Sequence, residues 1–467
     1  MSTLLRSALV LGCSLALGWI AVPPPASAAP SQTSCSALTT DFKAATKRKK
    51  IRKRARTGKP TVLTSVWQPA ASGVPEHCLV SGYVDTGDKR VGLNRVNFRA
   101  ELPTGWNAKL HFSGNSGFSG ALPPVASREL SRGYATAVTD TGHQSAGTDA
   151  SWAQGQAAKR IDFLDRGVHA ATVGVKQVLL RYYGSAVTRA YFEGCSTGGR
   201  QGLWEAMQYP GDFDGVIAGA PADLAAAMAS FAWNQRHMYP DPTRLNAPAL
   251  PSAKLAALEQ HVLASCDALD GIVDRILDDP RECTFDPRRD LPVCAPGNAA
   301  DPSCFTTAQI DVIAAIYAGP GGRHRALGYS KGGESDSSNW RNWMVSSSAP
   351  GQFPSMQHVM IDSFFRGFVS PTMDFRSFDP ANGDFGLPEP AGFSANQDLR
   401  AFQQRGGKLI LWHGCGTPRS PRAPRSTRSR RSACGSAPRR ATTSCACTWR
   451  RAATTAATAA APRTSTP

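Results

Sequence analysis

The sequence predicts an α/β fold, a parallel sheet covered by helices, and three stretches predict it. RAYFEGCSTGGRQGLWEAMQYP (residues 189–210) reads as strand, sharp turn and helix. FDGVIAGAPA (213–222) follows as an apolar strand, and KLILWHG (408–414) returns much later as another. Strand–helix–strand alternation implies parallel neighbours with helices on the faces.

The elements before the turn fit this reading. Residues 60–140 read as β-rich, with segments such as HCLVSGYV, RVNFRAELP, KLHFSG and YATAVTD. They are short, rich in β-branched and aromatic residues, and separated by Gly, Pro and Asp, which marks strands. Residues 157–183 place apolar side chains at helical spacing. Residues 222–395 differ. They hold Cys266, Cys283, Cys294 and Cys304, several aromatics, and loops rich in Gly, Ser and Pro. They read as a lid domain inserted over the active-site edge.

The domain plan is therefore a core in two parts, 29–221 and 396–415, around a lid at 222–395. Residues 1–28 read as a signal peptide: Arg6, an apolar run from Ala8 to Val22, then the small-residue site Ala26-Ser27-Ala28. The expected location is secreted or periplasmic, with no membrane partner once the signal is cleaved. Eleven of the twelve cysteines remain after that cleavage, and in an exported chain most belong in disulfides.

The net charge of +17 suggests a polyanion partner, but its distribution argues otherwise. Residues 43–59 hold ten Lys and Arg and no acid, and residues 416–467 hold eleven Arg and no acid. What remains carries −4, so the expected partner is a small molecule and not nucleic acid. The last 52 residues also lack Leu, Ile, Val, Phe and Tyr. Such a segment cannot bury a core and is expected to be disordered.

The chemistry centres on Gly194-Cys195-Ser196-Thr197-Gly198. A serine hydroxyl must be exposed, oriented and partnered with a base before it attacks. A tight strand-to-helix turn does the first two, and flanking glycines permit its strained backbone. Ser196 is the candidate nucleophile. The backbone N–H of Thr197 opens the helix and is one oxyanion donor. The second is expected from the Gly-rich loop 113–120, at Ser116 or Gly117. This pattern points to the α/β-hydrolase fold.

The run Gly194 to Gly202, together with Asp212 to Pro221 and the Ser116-Gly117-Phe118 loop, resembles the tannase and feruloyl esterase family. The resemblance spans roughly residues 35–415. It implies a Ser–Asp–His triad, with the cysteine beside the serine bonded to one beside the histidine. It also implies hydrolysis of aromatic-acid esters of feruloyl or galloyl type. Trp233 and other aromatics of the 222–395 region read either as pocket walls for such a group or as lid core.

The C-terminus departs from that pattern. After the strand ending at His413-Gly414 the family places Asp-Pro two residues on, whereas this chain has Thr417-Pro418. All nine histidines lie at or before residue 413, so the triad histidine is missing and Cys195 lacks its usual partner. The tail reads as a frame-shifted translation. In one alternative register, codon degeneracy lets Gly416-Thr417-Pro418 become Asp-Pro and residues 443–456 end in His-Cys. As written, esterase activity is expected to be impaired. The rival readings are a catalytically dead binder that keeps the pocket and a secreted surface-binding protein acting through its basic segments.

Asp267, Asp270 and Asp274 are spaced like a calcium loop around Gly271, with Ile272 and Ile276 offering carbonyls. The resemblance implies a structural Ca²⁺ in the lid at this motif. It also implies the pairs Cys266–Cys283, Cys294–Cys304 and Cys35–Cys78.

Overall fold

Nine strands form one sheet in the order β1-β2-β3-β5-β4-β6-β7-β8-β9. They are β1 (Thr61–Gln68), β2 (His77–Asp88), β3 (Gly92–Pro103), β4 (Lys109–Ser113), β5 (Ala135–Thr139), β6 (Arg189–Cys195), β7 (Gly215–Gly219), β8 (Lys408–Trp412) and β9 (Cys445–Ala446). This computed structural model describes residues 30–43, 59–124, 127–346, 354–387, 398–414 and 445–446. The expected signal peptide, most of the basic run and all of 416–467 except Cys445–Ala446 lie outside them.

The sheet is mixed, which corrects the expectation of a parallel one. From β5 through β4, β6, β7 and β8 to β9 the pairing is parallel, while β1-β2-β3-β5 is antiparallel. Chain length between strands decides this. Only residues 89–91 separate β2 from β3, and a parallel crossover needs a dozen or more. The β1 strand, TVLTSVWQ, lies inside the β-rich stretch 60–140, although it is not one of the segments singled out there.

Helix α1 (Gln32–Asp41) packs on β1, and its Cys35 is bonded to Cys78 of β2. The window 157–183 is helical throughout, as expected: Ala157–Ile161 runs through a π-bulge (Asp162–Arg166) into α2 (Gly167–Tyr183). The π-bulge coincides with Asp162, which is buried and accepts from Thr86 Oγ1 and Asn94 Nδ2, both at 2.7 Å, and from Arg166 Nε. Turning that carboxylate inward favours a locally widened helix. Gly184, at φ 68°, ends α2. Helix α3 (Thr197–Gln208) follows β6.

Between the sheet and α2 lies one core, with Phe98, Phe112, Val175, Val178, Leu179, Phe192 and Phe213 at its centre. Between β7 and β8 the chain runs through α4 (Leu224–Met238), α5 (Leu255–Cys266), α6 (Thr307–Ala318) and α7 (Met356–Phe364). A second core joins this insertion to the sheet side, packing Phe364, Phe365 and Phe368 with Phe118, Phe163 and Leu164. A third is internal to the insertion, around Tyr239, Leu258, Phe305, Ile313 and Trp340. The disulfides Cys266–Cys283 and Cys294–Cys304 lie there, as expected. No helix of the described residues is long and apolar enough to cross a membrane. Helices on a mostly parallel sheet, with the serine turn at its centre, make this an α/β-hydrolase fold.

Candidate active site

Strand β6 lies in the middle of the parallel segment, and its last residue, Cys195, pairs with Gly219 of β7. Ser196 sits between this strand and α3 at φ 60°, ψ −118°, as the N-cap of the helix. A non-glycine residue pays for that conformation with strain, and it persists only when its surroundings hold it. Here the backbone is pinned on both sides. Ser196 N–H donates to Gly219 O at 3.0 Å, and Ser196 O accepts from Arg200 and Ala222 N–H at 3.0 and 3.1 Å. The side chain is left partly exposed at the carboxyl ends of the strands, where open α/β sheets bind their ligands.

The flanking glycines are required by close approach. A Cβ on Gly194 would lie 2.6 Å from the backbone of Gly198, and one on Gly199 would lie 2.2 Å from Gly219 O. The turn can be this tight only without side chains there.

The loop after β4 lies against the turn, as the sequence reading required. Thr197 Oγ1 donates to Gly117 O at 2.8 Å. Gln201 Oε1 accepts from Asn115 N–H at 2.9 Å, and Gln201 Nε2 donates to Asn115 Oδ1 at 3.1 Å. Asn115 Nδ2 reaches on to Thr139 O at 2.8 Å. Gly117 itself is at φ 54°, and a Cβ there would meet Gly147 O at 2.2 Å. So Ser116 and Gly117 stand beside Thr197 on a rigid support. The first N–H groups of α3 have no partner within the helix and carry its positive dipole end. That arrangement can stabilise an oxyanion.

Three supporting residues carried no role in the sequence reading. Asn115 and Gln201 form the reciprocal pair just described. The available signal was only that Gln201 lies within the motif after Ser196 and Asn115 within the Gly-rich loop. His143 is the third. It is buried, stacked on Trp152 with centroids 3.6 Å apart, and its Nε2 lies 2.8 Å from Phe118 O, so Nε2–H donates. Burial pushes its pKa down to about 4. Arg200 is also buried, donating from both Nη atoms to Phe163 and Leu164 O at 2.9 Å.

No histidine or carboxylate among the described residues is hydrogen-bonded to Ser196 Oγ. His413 follows β8, with Nδ1 at 2.9 Å from Gly414 O. Thr417 lies outside the described residues. Cys195 is exposed and free, its thiol pushed up by partial desolvation. Trp233 donates from Nε1 to Ala315 O at 2.8 Å, inside the insertion.

The Asp267–Ile276 segment turns at Gly271, φ 89°. Asp267 accepts from Arg275 N–H at 2.9 Å, Asp270 from Ile272 N–H at 2.9 Å, and Asp274 from Ile276 N–H at 3.0 Å. The three carboxylates are not gathered. The group of His, Cys, Asp or Glu whose ligand atoms lie within 4.8 Å of one another is elsewhere among the described residues: His169, Glu205 and Asp212.

Comparison with known proteins agrees with this architecture. The family model described as tannase and feruloyl esterase matches residues 78–427. A mono(2-hydroxyethyl) terephthalate hydrolase of Piscinibacter sakaiensis is 31% identical over 412 residues, covering 74% of this chain and 67% of that protein. A probable feruloyl esterase B-1 of Aspergillus terreus is 29% identical over 349 residues, covering 70% and 60%. The chain thus spans 60% to 67% of the length of these curated relatives. The crystal structure of feruloyl esterase B from Aspergillus oryzae superposes with a TM-score of 0.66 at 22% identity, covering 82% of this chain and 74% of that one, and shares the fold. With its match over most of the chain and its serine turn in place, the protein belongs to the tannase and feruloyl esterase family.

Proposed function

We propose that this chain is a carboxylic ester hydrolase for small esters of aromatic acids, of feruloyl or galloyl type. It would work through an acyl-enzyme on Ser196. The carrying observation is Ser196 held at φ 60° with the 114–118 loop locked against Thr197. In this reading Ser196 Oγ attacks the ester carbonyl, and the N–H of Thr197 with one from Ser116 or Gly117 holds the oxyanion. The insertion, packed on Phe118 and Phe163, would be the lid that receives the aromatic acyl group. The disulfides and the N-terminal leader sequence support a secreted or periplasmic setting.

Activation needs a base oriented by an acid, and Thr417 cannot supply the charge of an aspartate. The shifted register from Gly416 onward would provide both missing triad members and a partner for Cys195. The test is turnover of methyl ferulate by two proteins: the chain as written, and the chain read in the shifted register after codon 415. We expect the second to exceed the first by at least about 10³-fold and Ser196→Ala to abolish it. Equal, Ser196-independent rates would sink the reading and leave a pocket-bearing binder.

The Asp267–Ile276 segment is proposed as a Ca²⁺ site. Its donor set, three carboxylates and the carbonyls of Ile272 and Ile276, is the all-oxygen chemistry that Ca²⁺ takes. Each carboxylate oxygen that accepts from an N–H retains a further lone pair for an ion.

A further inference from the structure

Away from the serine turn, a second group of titratable side chains lies where α2, α3 and the connection before β7 meet. His169 comes from α2, Glu205 from α3 and Asp212 from the connection. One ligand-capable atom of each lies within 4.8 Å of the others. His169 Nδ1 is 2.6 Å from Asp212 Oδ2. The imidazole is held flat on Tyr209, with centroids 4.0 Å and planes 7° apart.

Glu205 is the independent observation. It is 1% exposed, and neither carboxylate oxygen receives a hydrogen bond from an N–H or hydroxyl donor; the Asp212 carboxylate is the neighbour with which it can share a proton. Buried carboxylates are normally paired or bound to metal. This one faces an imidazole nitrogen and a second carboxylate. Burial and the neighbouring Asp212 and Asp165 push its pKa well up, opposed by Lys176.

We propose that His169, Glu205 and Asp212 form a binding site for a first-row divalent cation, zinc, distinct from the Asp267–Ile276 segment. One imidazole and two carboxylates suit Zn²⁺ at about 2.0–2.2 Å, with water as a fourth ligand. Ca²⁺, which prefers oxygen alone, fits poorly. Tetrahedral ligands at that distance sit about 3.4 Å apart, so binding opens the His169–Asp212 contact by about 1 Å. Metal entry displaces the Glu205 proton to solvent, leaving a metal-bound carboxylate. His169 and Asp212 side chains, 23% and 11% exposed, give the entry path. The ion would tie α2, α3 and the β7 connection together, bracing the helix that carries Ser196.

The test titrates EDTA-stripped full-length protein with zinc chloride at pH 7.5, by calorimetry, in excess calcium to saturate the other site. We expect one saturable zinc site, weakened at least about tenfold in both Glu205→Gln and His169→Gln. Anomalous diffraction from zinc-soaked crystals should place a peak within bonding distance of His169 and Asp212. Absence of saturable binding, binding unchanged in both variants (as zinc held by cysteines would give), or a peak elsewhere overturns the proposal. If Glu205→Gln does not fold, His169→Gln and the diffraction peak decide.

Discussion

Thr197 Oγ1 donates to Gly117 O at 2.8 Å, so the first residue of α3 holds the loop expected to supply the second oxyanion donor. The same residue offers its backbone N–H as the first donor. Thr197→Val keeps that N–H and the side-chain volume but cuts the tie. Losing one neutral hydrogen bond costs about 1 kcal/mol. Ester turnover in the shifted-register chain should therefore fall about 5-fold in kcat, with KM and Tm little changed. A loss confined to KM would show that the loop binds substrate without stabilising the oxyanion.

The serine turn should tolerate no added methyl group where backbones touch. A Cβ on Gly199 would meet Gly219 O at 2.2 Å, whereas one on Gly211 meets nothing within 4 Å. Overpacking against backbone costs about 1–3 kcal/mol or more. Gly199→Ala should lower stability to urea by that amount or fail to fold, and Gly211→Ala should leave it within about 0.5 kcal/mol. Equal midpoints for the two variants would mean that the turn relaxes at no cost.

Acid sensitivity should be traceable to two buried groups of opposite sign. His143 is held near 4 by burial, below its ordinary 6.5. Its stabilising share is complete above about pH 6.5 and is lost as pH falls through about 4, up to about 3 kcal/mol. Asp140 is raised to about 6 by burial, despite hydrogen bonds from Asn97 and Gly142. Its share is present below about pH 4 and is lost as pH rises through about 6. Lys159 and Asp149 also bear on His143, with opposite effects, and Asp162 bears on Asp140. Melting temperatures from pH 4 to 7 should decline less toward acid in His143→Gln than in the parent, and more steeply in Asp140→Asn. Parallel curves for all three would remove both assignments.

Much of this was legible because it is local. The strand-turn-helix around Ser196, the returning strand Lys408–Trp412 and four strands between residues 77 and 140 carry their signal in their own residues. The placement of Ser116 and Gly117 beside Thr197 followed from a Gly-rich loop ending a strand. What escaped was set by distant partners. The antiparallel half of the sheet depends on short links between β1, β2 and β3. The π-bulge ahead of α2 depends on Thr86 and Asn94 drawing Asp162 inward from more than 65 residues away. His143 and the Asn115–Gln201 pair are ordinary polar residues until folding brings them to the 114–118 loop. The Glu205 cluster has no sequence spacing to betray it, since His169, Glu205 and Asp212 come from three separate elements.

The Asp267–Ile276 segment should respond to calcium as one unit. Gly271 makes the turn at φ 89°, and the Cys266–Cys283 bond closes the loop beside it. Its carboxylates now accept from backbone N–H groups of the same loop. An ion would have to draw Asp267, Asp270 and Asp274 together, against their mutual repulsion and the cost of ordering the turn. Free energy of binding then appears as stability, about 2.7 kcal/mol when calcium is at about 100 times its Kd. Tm should rise by several degrees on adding millimolar calcium to EDTA-treated protein. Asp270→Asn should blunt that rise, because it removes one ligand charge yet keeps the Oδ1 acceptor for Ile272 N–H. Asp274→Asn should act likewise, for the same reason at Ile276 N–H. Magnesium, which demands tighter octahedral geometry and sheds water reluctantly, should not substitute. A calcium shift of equal size in both variants would place the ion somewhere other than this loop.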